Sequence, residues 1–207
     1  MATIDLLQPA EVFPTWPRAQ LALDVHARAA PPAPHVLRTT GFLTPAHAQR
    51  VASWFTEPGP DTTADAGTRR AYRALARETG RVYAVARHRL GVRVRFADQE
   101  PYESAAELCA ELREHGTMTL VREATHPLLS PEELDRLRVV HDVFGHAALG
   151  LGFDLQSEYA TWLQCRTLFS AQARPAAFCE LVGAVTAYVG TGEKPGLRAK
   201  LPPAALL

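Results

Sequence analysis

Apolar residues recur at helical spacing along most of this chain, and they alternate with polar ones in only two short stretches. Thr44-Pro45 reads as an N-cap followed by proline at the first helical position, opening a helix that carries Val51, Trp54 and Phe55. Residues 57–67, EPGPDTTADAG, read as a loop. The stretch from Thr68 to Leu90 is helical in composition, with Gly80 as an expected break. GVRVRF (91–96) and TMTLVR (117–122) have the two-residue period of short strands, and ESAAELCAELREHG (103–116) is a helix between them. SPEELDRLRVVHDVFGH starts with a capping box, with Ser130 as N-cap, Pro131 next and Glu133 at the third position. Two more helices are expected at 155–169 and 174–189, the second opened by Arg174-Pro175. Residues 1–40 are proline-rich and read as an arm wrapped over the rest, or partly disordered. The predicted fold is mainly α (α+β): one helical domain over 41–207 with a minor two-stranded β element.

Composition narrows the function. The 207 residues carry 22 basic and 22 acidic side chains, and that balance argues against nucleic acid as a partner. No stretch approaches the roughly 20 apolar residues of a membrane span, and no basic-then-apolar leader opens the chain. Cys109, Cys165 and Cys179 are odd in number and lack metal or redox spacing, so a reducing, cytoplasmic setting is expected.

The chemistry concentrates in VVHDVFGH, residues 139–146. His141 and His146 are five apart, which on an unbroken α-helix separates them by about 140°. Gly145 lies between them, where a distortion of the helix would let both imidazoles converge on a metal ion. Two polar residues at the end of a core helix remain the rival reading. Carboxylates downstream favour the metal. Glu180 sits among Phe178, Leu181 and Val182, where an unpaired charge would be costly, and Glu158 is the competing third ligand. Two histidines and one carboxylate form the facial triad typical of non-heme Fe(II).

HDVFGH at 141–146 resembles the iron motif of the tetrahydropterin-dependent aromatic amino acid hydroxylases. The resemblance extends over roughly residues 117–190. In that family both histidines bind iron and a glutamate on a later helix completes the set. AAFCELVGA puts Glu180 at that place, while SEYATW makes Glu158 a residue of the catalytic pocket. Asp142 falls where the family has an acid beside the pterin, which implies a catalytic and cofactor-binding role. MTLVREATHPLLSPEE resembles the segment that holds the substrate carboxylate, and so implies Arg122 and Ser130 as substrate-binding residues. The chain departs from the family by the insertion LDRLR before the first histidine, by Pro175 and Ala176 in place of an aromatic pair, and by ending 27 residues after Glu180.

The resulting expectation is a mononuclear non-heme Fe(II) monooxygenase, cytoplasmic, acting with O2 on a small carboxylate-bearing, amino-acid-like substrate, with a tetrahydropterin as reductant if the resemblance extends to the pterin. Residues 41–207 would be its metal-binding catalytic domain, and a homo-oligomer or a second subunit would complete the pocket. A zinc hydrolase of the His-Asp type, with His115, His126 and Asp154 as loose further candidates, is the alternative. A non-catalytic metal-binding helical module is the third reading.

Overall fold

Proline starts each of the first three helices of the computed structural model, which describes residues 9–58, 62–122 and 125–207. These helices are α1 (Pro17–His26), α2 (Pro34–Thr39) and α3 (Pro45–Thr56). A ring-fixed φ suits the first helical position, and the N–H that proline lacks would have no partner there anyway. The proline-rich segment read as an arm is thus partly helical, and among the described residues it carries α1 and α2 between non-helical stretches. Thr44 caps α3 as expected, accepting from the His47 N–H.

α4 (Ala66–Arg89) runs for 24 residues without interruption. The break expected at Gly80 does not occur. Tyr72, Leu75, Val82 and Ala86 make one buried stripe through that position, and its burial outweighs the helix cost of a glycine, about 1 kcal/mol. Residues 59–61 of the loop expected at 57–67 lie outside the described residues.

β1 (Arg93–Ala97), α5 (Ala105–His115) and β2 (Thr117–Val121) form one unit. The strands pair in parallel from Arg93 opposite Thr117 to Ala97 opposite Val121. A parallel pair needs a crossover, and α5 supplies it. Ser104 caps that helix, and Gly116 ends it at φ +61°. The remaining helices are α6 (Pro131–His141), α7 (Leu155–Cys165), α8 (Arg174–Phe178) and α9 (Ala184–Thr191). The capping box at Ser130 and Glu133 forms as read from the sequence. α6 lies along α4, and α3 lies along α9. Trp162, Tyr72, Phe144, Phe169 and Phe178 fill the core between them. Among the described residues the protein is therefore mainly helical, with one two-stranded sheet.

The three cysteines are buried and free. Burial pushes the Cys109 and Cys165 thiols well up and that of Cys179 up to about 12, so they behave as small apolar side chains. Among the described residues no helix is long and apolar enough to cross a membrane.

The extended arm is stitched to the loop after α6. Phe13 N–H donates to the Gly150 carbonyl at 2.9 Å, Gly152 N–H donates to the Glu11 carbonyl at 3.1 Å, and Val12 bridges Leu151 in antiparallel sense. Gly150 has φ +66°, and a Cβ there would lie 2.1 Å from the Phe13 carbonyl oxygen. Only glycine permits that approach.

Candidate metal centre

α6 does not stop at His141. It widens into a π-helical turn, Asp142–Ala147. In a π turn the backbone bonds run from i to i+5, so residues five apart come much nearer to one face than they do in an α-helix. That geometry removes the angular objection to a His141–His146 pair. Gly145 enables the turn in a way its sequence context hides. A Cβ there would meet the Thr161 Cβ at 2.8 Å and the Cys165 sulfur at 3.5 Å, so the glycine lets α7 close onto the π turn. Gln164 ties the two together, its amide donating to the Phe144 carbonyl at 2.5 Å. α7 brings Glu158 with it, and Asp154 caps that helix through the Ser157 N–H at 3.0 Å.

Both imidazoles point at one place. The His146 Nδ1 lies 3.0 Å from the Leu151 carbonyl, which can only accept, so Nδ1 carries the proton and Nε2 the lone pair. That Nε2 is 2.9 Å from the His141 Nε2 and 3.5 Å from the Glu158 Oε2, and the last two atoms are 2.9 Å apart. The His146 ring is wholly buried, with Phe153 packed edge-on at 5.0 Å. Donors held at about 2.1 Å from one ion and at right angles to each other would stand about 3 Å apart. The three edges match the face of an octahedron, so these residues fit a divalent metal. Without a metal, the Glu158 carboxylate favours a proton on His146. Burial alone would pull the His146 pKa down, but the Glu158 carboxylate raises it to about 9. Burial likewise pushes Glu158 up, and the two imidazoles outweigh this and bring it to about 2.

Asp142 also offers a carboxylate oxygen, with ligand atoms of His141, Asp142 and His146 all within 4.8 Å of one another. Glu158 is closer to both imidazoles and is the better third donor. Burial raises the Asp142 pKa against the pull of His141 and His146. A cavity of about 330 Å3 opens beside the group, and its wall includes His141, Asp142, Glu158, Glu180, Arg138 and Phe153.

Glu180, the ligand implied by the family resemblance, is engaged elsewhere. Its Oε1 accepts from the Tyr72 hydroxyl at 2.5 Å and lies 3.2 Å from the His126 Nε2. It rises from a second π turn, Cys179–Gly183, where a Cβ on Gly183 would meet the Phe55 ring at 2.6 Å. Of the two carboxylates considered as third ligand, Glu158 is the one in contact with both imidazoles, while Glu180 is hydrogen-bonded to Tyr72 and His126 on the wall of the same cavity. The expected substrate pair is also displaced. Arg122 is 58% exposed, stacks on Phe96 at 4.3 Å and pairs with Asp135 at 3.7 Å, facing a different cavity. Ser130 spends its hydroxyl on the capping box. Arg138 is the guanidinium that lines the metal-side cavity. The sequence does hold a signal for it, because Arg138 precedes His141 by one helical turn. Nothing local marks Tyr72 or His126 as partners of Glu180. Of the further histidines and acids considered for a hydrolase, His126 joins that cluster, Asp154 is a helix cap and His115 ends α5.

No family model, curated protein or solved structure matches the chain. The likeness to the hydroxylases therefore rests on the quoted residues alone.

Proposed function

We propose that this chain is a mononuclear non-heme Fe(II) oxygenase in which His141, His146 and Glu158 hold the metal. The observation that supports it is the triangle of donor atoms with edges of 2.9, 2.9 and 3.5 Å. When bound, Fe(II) would supply the open coordination positions that let dioxygen react. The chain's own residues set the conditions for that chemistry. Leu151 orients His146 through its carbonyl, as outer partners of metal-binding histidines do. Phe153 and Leu181 line the cavity as apolar walls that limit water. Asp142 is the acid beside the cavity that the resemblance puts near a tetrahydropterin reductant. The carboxylate dock read at Arg122 and Ser130 has no part in this proposal, because neither residue lines the cavity.

The test is anaerobic Fe(II) titration of the wild type, His146→Ala and Glu158→Ala, followed by O2 consumption with tetrahydropterin. One iron per chain, lost in both variants, is the expected result. Absence of iron binding in the wild type would sink the reading and leave the metal hydrolase or a non-catalytic helical module.

One observation favours a second reading, a His-Asp metal hydrolase. Asp142 lies close enough to both imidazoles to serve as a ligand. That reading expects Zn2+ binding that depends on Asp142, with no O2 consumption.

A further inference from the structure

Glu180 has an unusual set of neighbours for a buried acid. The His126 Nδ1 accepts from two backbone donors, the Leu128 N–H at 3.0 Å and the Leu129 N–H at 2.8 Å. Its proton must therefore sit on Nε2, which donates to Glu180. The Tyr72 hydroxyl donates to the same carboxylate oxygen. Among the described residues both bonds fall on Oε1, while the carboxylate is part of the cavity wall shared with His141 and Glu158. The Tyr72 hydroxyl and the His126 Nε2–H thus fix the position of the carboxylate at the cavity wall.

The rest of that wall has the same sign. Glu100, Asp142 and Glu158 line it along with Glu180, against the single guanidinium of Arg138, which already donates to the Val121 carbonyl. Once a divalent metal offsets Glu158 and Asp142, Glu180 and Glu100 still outnumber Arg138. Leu108, Leu120 and Val185 supply an aliphatic surface beside them.

The geometry points to Glu180 as the docking group for a protonated amine, which makes the substrate of this cavity a small amine with an apolar body. This rests on the metal reading above and assigns Glu180 to the substrate instead of the metal. A charge-assisted hydrogen bond to a fixed carboxylate is among the stronger single contacts available for selecting a cation over an anion of the same shape.

Two measurements on wild type, Glu180→Gln and Glu158→Gln separate the possibilities. The first is Fe(II) stoichiometry. The second is calorimetric titration of metal-loaded and metal-free protein with hexylamine and with hexanoate, which match in length and differ in charge. The expected result is one iron in Glu180→Gln, none in Glu158→Gln, and hexylamine preferred over hexanoate by the wild type. In Glu180→Gln the hexylamine affinity should fall about tenfold or more. Tyr72→Phe, which removes one of the two donors, should lose a smaller factor. If iron is lost in Glu180→Gln and kept in Glu158→Gln, Glu180 is the metal ligand and the inference is overturned. If iron behaves as expected but hexylamine binds Glu180→Gln unchanged, or hexanoate binds better than hexylamine, the inference fails while the metal reading stands. If the wild type binds no iron, the metal reading fails, and the metal-free titrations still decide whether Glu180 takes an amine.

Discussion

Two carboxylates stand beside one cavity, each near a π turn, and their neighbours are chemically opposite. Glu180 meets two groups that carry protons, the Tyr72 hydroxyl and the His126 Nε2–H. Glu158 meets two imidazole nitrogens, of which the His146 Nε2 is left with a lone pair by the Leu151 carbonyl. The first arrangement has donors already in place on Glu180 Oε1 and needs no metal to hold it. The second gathers two imidazole nitrogens and a carboxylate oxygen within 3.5 Å of one another, an arrangement that a proton on His141 Nε2, an added proton or a cation can hold together. Burial and residue type are alike at the two positions. The difference lies in which atoms can carry a hydrogen, and it is what favours Glu158 over Glu180 in the proposed metal site.

Removing each acid in turn should sharpen this contrast most. Glu158→Ala is expected to abolish metal binding and to lower the stability of the metal-free protein by about 3 kcal/mol at pH 7, since it strips the buried partner from His146. Glu180→Ala should keep the metal and cost less, about 1–3 kcal/mol, through two donors left unpaired. Urea denaturation with and without Fe(II) measures both. Equal losses, or a stabilising effect of Fe(II) that survives Glu158→Ala, would break the distinction.

A proton that stands in for the metal also has a pH signature. The His146 pKa is raised from the ordinary 6.5 to about 9 in the folded protein. Its stabilising effect is therefore full below pH 6.5 and lost as pH rises through about 9, about 3 kcal/mol in all. The lowered pKa of Glu158, about 2, is the same interaction seen from the acid's side, lost only as pH falls from 4.5 through 2. Metal affinity should run the other way, rising about tenfold per pH unit up to pH 9 as the competing proton leaves. Denaturation of the metal-free protein across pH 6–10 tests the first trend, and Fe(II) or Co(II) titration tests the second. A flat stability profile would mean that no shared proton holds the group together.

The sequence made part of this legible. The capping box at Ser130, the strand–helix–strand unit and the convergence of His141 with His146 follow from local pattern, because caps, periods and a glycine act within a few residues. Which acid joins the histidines does not. It depends on how closely α7 approaches the π turn, and so on a contact between Gly145 and Thr161 that no spacing encodes. The Tyr72–Glu180 bond spans 108 residues and left no local trace. Arg122 was legible as a cation but not in its direction, since it leaves β2 to stack on Phe96 of the neighbouring strand. The two helices inside the proline-rich arm could be read from Pro17 and Pro34 as first-turn residues, where proline begins a helix instead of breaking one.

The smallest expected effects come from two helical glycines that look alike in the sequence. An added methyl at Gly145 meets the Thr161 Cβ at 2.8 Å, whereas one at Gly80 in α4 meets nothing within 4 Å. Gly145→Ala should therefore destabilise by about 1–3 kcal/mol through overpacking. It should also weaken Fe(II) binding, because the helix pushed away carries Glu158. Gly80→Ala should stabilise by about 0.5–1 kcal/mol, since it removes backbone freedom from the unfolded chain at no steric cost. It should leave metal affinity unchanged. Thermal denaturation and Fe(II) titration of the two variants read sign and site together. If Gly145→Ala were neutral in both, α7 would not need its close seat on the π turn, and the short Glu158–His141 contact would lose its structural cause.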